Sequence, residues 1–180
     1  MYEAERRITS LRISEILQPP VIGNLDYEHL KAIHKSIISD IYNWAGQPRI
    51  VDIAKGNVFC LSRNLDTYAG SIFSKLEAEN YLIGISSEEI VRRLSFYLSE
   101  INVLHPFREG NGRVQRVFIE YLAATAGYHL DFSKVTDKDM VEASALAFAC
   151  KYESMNTLLS EIITVIDKQT QEKYISVFIK

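Results

Sequence analysis

Cysteine, glycine and proline are scarce in this chain. Its two cysteines, Cys60 and Cys150, cannot build a disulfide framework. The 8 glycines and 4 prolines fall between periodic stretches, as in a helical protein with short connections. No apolar run reaches the roughly 18 residues of a membrane span. The start, MYEAERRITSLR, has no apolar signal segment. A cytoplasmic protein with no membrane partner is expected. There is no basic excess either. The formal net charge is −3, which argues against direct nucleic-acid binding. His29, His34, His105 and His129 are scattered and lack zinc-ligand spacing.

What is present is a globular composition, with 47% hydrophobic and 24% charged residues. A chain of 180 residues suits one domain that buries about 70% of its extended surface. Apolar periodicity predicts a helix over residues 2–17, ended by Pro19-Pro20, and a second from about Asp26 to Trp44. Residues 50–60 read as a short β-hairpin around Gly56-Asn57. Helix is expected again from about Leu65 to Asn80. Ser86 to Glu89 reads as a capping box that opens the next helix, ending near Asn102. A further helix is expected from about Arg113 to Gly127, and Thr136 with Asp139 could cap another. A last amphipathic helix is expected to carry Leu158, Leu159, Ile162, Ile163 and Ile166; the stretch from Gln169 onward is ambiguous. The expected architecture is all-α: an orthogonal bundle of about six to eight helices with one short β-hairpin.

The segment between two of those helices, His105-Pro106-Phe107-Arg108-Glu109-Gly110-Asn111-Gly112-Arg113-Val114-Gln115-Arg116, carries the chemistry. Gly110 and Gly112 let backbone amides approach a ligand, and the helix that follows adds free amides and the positive end of its dipole. Arg113 and Arg116 share one helical face, and a guanidinium fork suits phosphate oxygens. Glu109 is a hard oxygen ligand of the kind Mg²⁺ accepts beside phosphates. His105 titrates near neutrality without help and can serve as general base. Each element alone has a bland reading: a turn, a structural histidine, a solvated basic face, or core packing for Phe107. Together they form the set that nucleotidyl or phosphoryl transfer requires.

HPFREGNGRVQR resembles the signature of Fic-domain proteins, His-x-Phe-x-(Asp/Glu)-Gly-Asn-Gly-Arg-x-x-Arg, without departure. A chance match is on the order of 10⁻⁸ at ordinary residue frequencies. Ile33-His34 with Tyr42-Asn43-Trp44-Ala45-Gly46 resembles the family's upstream helix, and Lys55 to Cys60 its flap hairpin. The resemblance implies a Fic fold over residues 1–168, with a catalytic loop at 105–116, a flap at 50–60, and 169–180 as a tail or the start of a further segment. It implies transfer of AMP from ATP to a protein hydroxyl, with Mg²⁺. In that reading His105 is the base and Glu109 the metal ligand. Lys55, Gly56, Gly110, Asn111, Gly112, Arg113 and Arg116 bind nucleotide. Pro106 and Phe107 shape the loop. Asn57, Val58 and Phe59 of the flap clamp an extended target segment. A kinase branch of the family, the Doc toxins, has lysine where this chain has Gly112, so the resemblance favours AMP transfer over phosphotransfer. The same fold is also compatible with use of another nucleotide or with removal of AMP from modified targets. A non-catalytic anion-binding module is a third reading, and it has no need of His105.

Many family members also carry an inhibitory (Ser/Thr)-x-x-x-Glu-(Gly/Asn) motif. Here Glu precedes Gly or Asn only at Glu109-Gly110 and Glu79-Asn80, and the residues four before are His105 and Lys75. Thr157 to Glu161 is a relaxed match within an apolar run and reads as a core helix. The resemblance therefore implies either a small separate antitoxin that supplies the inhibitory helix, the preferred reading, or unrestrained activity. The expected targets of AMP transfer by this chain are the ATPase subunits of DNA gyrase and topoisomerase IV, or a host protein if the chain is part of a secreted effector delivered into a host cell.

Overall fold

The computed structural model describes residues 2–179; Met1 and Lys180, at the outer edges of the expected domain and tail, lie outside the described residues. The described residues form eight α-helices: α1 (Tyr2–Leu17), α2 (Tyr27–Ile38), α3 (Leu65–Ala78), α4 (Ile90–Leu104), α5 (Asn111–Ala126), α6 (Asp137–Phe148), α7 (Glu153–Ile162) and α8 (Lys168–Phe178). Strands β1 (Ala54–Lys55) and β2 (Asn57–Val58) form the expected hairpin, pairing Ala54 with Val58 and Lys55 with Asn57. A second antiparallel pair joins β3 (Tyr128–Leu130) to β4 (Ile163–Val165).

The bundle is built around α5, which packs against α2, α4 and α8. Val114, Val117, Phe118, Ile119, Tyr121, Leu122 and Ala123 are all buried. A helix apolar on most of its faces belongs in a core, and each fully buried large side chain contributes about 1.5–3 kcal/mol. Gly127 ends α5 in the left-handed conformation, φ 98°. No helix is long and apolar enough to cross a membrane among the described residues.

Several local expectations are corrected. Helix α2 stops at Ile38, because the following turns fold Trp44 back to stack on His34 and Tyr42. No capping box forms at Ser86: residues 86–89 make a turn, and α4 begins at Ile90 with no side-chain cap. The Thr136 cap does form, accepting from the Asp139 N–H. Helix α7 ends at Ile162, and Ile163 enters β4, because the edge of β3 offers it a partner. The ambiguous C-terminal stretch is α8, capped by Asp167, and it buries Phe178 against His29 and Tyr121.

Candidate active site

The loop between α4 and α5 is shaped by its own residues and by α2. His105 ends α4 in the left-handed region, φ 43° and ψ 57°, while its N–H still bonds the Ile101 carbonyl. A non-glycine residue there costs about 1–2 kcal/mol, so the neighbours must fix it. Phe107 drops into the core, 1% exposed, and stacks on the His34 ring at 3.7 Å. The Gly46 N–H donates to His34 Nδ1 at 2.7 Å, so Nε2 carries the proton and donates to the Glu109 carbonyl at 3.1 Å. Asn111 clasps the loop from the far side: its Oδ1 accepts the Phe107 N–H and its Nδ2 donates to the Phe107 carbonyl. Gly110 supplies the positive φ, 82°, that starts α5.

His105 thereby faces the flap. Its ring stacks on Phe59 at 3.7 Å, and Nδ1–H donates to the Asn102 carbonyl at 3.2 Å. That bond leaves the Nε2 lone pair unprotonated. Burial holds the imidazole well below its ordinary range, at about 4; the hydrogen bond to the Asn102 carbonyl opposes it, Arg49 and Lys55 add to it, and Glu109 opposes it weakly. A neutral imidazole with one free nitrogen can accept a proton.

At the start of α5 the N–H groups of Asn111 and Gly112 have no acceptor among the described residues. They and the helix dipole make an anion-binding end. Arg113 is held from α1: Nη1 donates to Thr9 Oγ1 at 2.9 Å and Nη2 to Glu5 Oε1 at 2.8 Å. Tyr42 donates to the other oxygen of Glu5. Arg116 makes no hydrogen bond or ion pair among the described residues. Burial lowers its pKa, yet a guanidinium stays charged. Both arginines line a cleft of about 590 Å³ with Glu5, Thr9, Ile13 and Asp137.

Glu109 is the one carboxylate of the loop. Its Oε1 accepts the Gly110 N–H at 2.9 Å and lies 3.4 Å from Arg113 Nη2, with the side chain 56% exposed. No cluster of three metal-ligating side chains exists among the described residues. A single exposed carboxylate fits Mg²⁺ that takes its other ligands from substrate phosphates and water. It does not fit a cage-bound structural metal.

The structure brings His105, Glu109, Gly110, Gly112 and Arg113 onto one loop and helix end. Lys55, Gly56, Asn57 and Val58 stand exposed on the flap above it. Two expected site side chains are committed within the protein. The Phe59 side chain is 8% exposed and stacked on His105. The Asn111 side chain is committed to Phe107, which leaves its backbone N–H as the group that can face an anion. His34, Arg49, Glu5 and Thr9 shape the site and were not among the expected residues. His34 is singled out only as part of the upstream-helix resemblance, and nothing local marks the other three; Glu5 and Arg113 are 108 positions apart.

A family model described as the Fic/DOC family matches residues 24–123. The chain is 38% identical over 161 residues to "Protein adenylyltransferase VbhT" of Bartonella schoenbuchensis, a match covering 89% of this chain and 34% of that relative. It thus spans about a third of that relative's length. It is 35% identical over 163 residues to "Probable protein adenylyltransferase Fic" of Escherichia coli, covering 90% of this chain and 80% of that one. Among solved structures it is similar to the N-terminal Fic domain of a VirB-translocated Bep effector protein from Bartonella quintana with bound ADP. There the TM-score is 0.89 at 27% identity, covering 94% of this chain and 86% of that one.

Proposed function

This chain belongs to the Fic/DOC family, and from that membership we propose that it is a protein adenylyltransferase. It moves AMP from ATP to a Tyr, Ser or Thr hydroxyl of a target protein. The observation that carries this reading is the His105 tautomer, with Nδ1–H tied to the Asn102 carbonyl and Nε2 left free, on the same loop whose far end opens α5. The target hydroxyl gives its proton to Nε2 as its oxygen bonds the α-phosphorus. The α–β phosphoanhydride bond breaks and pyrophosphate leaves. The Asn111 and Gly112 amides, Arg113 and Arg116 hold the phosphates in line. Glu109 would hold Mg²⁺, which when bound supplies charge neutralisation on the phosphates.

Gly112 supports adenylyl over phosphoryl transfer. A Cβ there would meet Arg116 Nη1 in ordinary contact at 3.7 Å, so a long cationic side chain at this position would put like charge beside the clamp. The exposed flap backbone, from Ala54 to Val58, suits strand addition by an extended target segment. The missing inhibitory motif supports restraint by a separate small protein that lays a carboxylate-bearing helix into the Arg113–Arg116 cleft. DNA gyrase, topoisomerase IV or a host protein are the targets to test.

Purified protein is incubated with α-labelled ATP, Mg²⁺ and lysate, wild type against His105→Ala. Label on a protein band that is lost in the variant supports the reading, and chelation of Mg²⁺ should abolish it. Label from γ-labelled ATP instead would overturn adenylyl transfer in favour of phosphotransfer.

A further inference from the structure

We propose that Arg49 is a positioning residue that couples the flap to the general base, an inference that rests on the adenylyltransferase reading of the site. Arg49 is among the largest fully buried side chains, 2% exposed, and sits at the entrance to the flap. Its Nε donates to the His105 carbonyl at 2.8 Å, and its own backbone N–H to the Pro106 carbonyl at 2.8 Å. The other guanidinium nitrogens reach the opposite side: Nη1 donates to the Val51 carbonyl at 2.7 Å and Nη2 to the Cys60 carbonyl. Val51 and Cys60 are the outgoing and returning ends of the hairpin. One planar side chain therefore spans both flap ends and the left-handed residue that must present Nε2. Cys60 adds a second tie, its N–H donating to Val103 in the last turn of α4 at 2.9 Å.

No carboxylate hydrogen-bonds Arg49 among the described residues; its partners are carbonyls alone. A buried cation is expensive unless its hydrogen bonds are satisfied. An apolar side chain would do if only packing were needed. The five-donor fork is suited to holding several carbonyls at fixed angles, which a lysine ammonium cannot do. Flap position, and with it the target segment on the flap, is thereby tied to the orientation of the base. The charges facing His105 are Arg49, Lys55 and Glu109.

Arg49→Lys is the test, because it keeps the charge and removes the fork. The expected result is an ATP affinity close to wild type with kcat lowered about 100-fold, the scale set by a misplacement near 1 Å. Imidazole nitrogen NMR should show His105 losing its pure Nδ1–H tautomer. The amides of residues 54–59 and those of His105 and Phe107 should lose exchange protection together. A wild-type kcat per folded molecule, an unchanged tautomer, or loss of protection in the flap alone would each overturn the coupling. If the variant does not fold, wild-type protein decides: on adding ATP and Mg²⁺ the two segments must gain protection in parallel, and independent changes sink the proposal. Tautomer and exchange need no turnover. A wild type that transfers no AMP therefore refutes the adenylyltransferase reading, while Arg49 is still judged.

Discussion

At the scale of single residues, the buried His29 and His34 and the half-buried His105 show how partners set protonation. In His34 an incoming Gly46 N–H makes Nδ1 the acceptor; in His29 the Leu25 N–H does the same. Their protons therefore sit on Nε2. His105 is the reverse, because its Nδ1 faces a carbonyl. Nitrogen NMR of labelled protein at pH 6 should show His34 and His29 as neutral Nε2–H forms and His105 as a neutral Nδ1–H form. A charged His105 at that pH would contradict a base held at about 4 by burial. Gly110 gives a second expectation. Its φ of 82° is left-handed, while a Cβ would find only ordinary contacts near 3.7 Å with His34 and Ile38. Gly110→Ala should therefore cost about 1–2 kcal/mol through backbone strain alone, read from urea unfolding, and should weaken ATP binding by tilting the first amides of α5.

At the scale of elements, the site is a junction. Helix α4 delivers the base, α5 the anion-binding end, α2 the ring beneath the loop, and α1 the carboxylate and hydroxyl that hold Arg113. Helix α8 supports this from behind by covering α5. Phe178 is fully buried against His29, Tyr121 and Tyr174. Truncating it to alanine opens a cavity on the back of α5, and Phe178→Ala should lower stability by about 3–5 kcal/mol. Urea denaturation checks this. A loss below about 0.5 kcal/mol, within the range of a surface substitution, would mean that α8 does not contribute to the core.

At the scale of the whole molecule, His29, His34 and His105 tie folding to pH. His34 and His105 are lowered to about 4 by burial, and His29 is lowered for the same reason. Unfolded, each would titrate near 6.5. Below that pH the unfolded chain binds more protons than the native state. The stability these groups provide is thus complete above about 6.5 and is lost as pH falls toward about 4. Urea midpoints at pH 7, 5.5 and 4.5 should decline in that window. His34→Gln should flatten the slope, because it removes one of the three linked groups.

Residue identity and spacing by themselves determined the helical class, the flap, and the chemical inventory at 105–116. Those are local facts: a 3.6-residue apolar period, a Gly-Asn turn, and a run of amides, carboxylate and guanidiniums fixed by chain order. The Thr136 cap and the Gly127 stop were legible for the same reason. Tertiary structure alone decided the rest. Whether Ile163 continues a helix or joins a strand depends on β3, more than 30 positions earlier. Whether Phe59 meets a target or the base depends on where α4 ends. The tautomer of His105, the burial of His34, and the grip of Glu5 and Thr9 on Arg113 depend on carbonyls and side chains supplied by other elements. Arg49 is the clearest case: its four bonds reach His105, Pro106, Val51 and Cys60, and no pattern around position 49 foretells partners that only folding brings within hydrogen-bond reach.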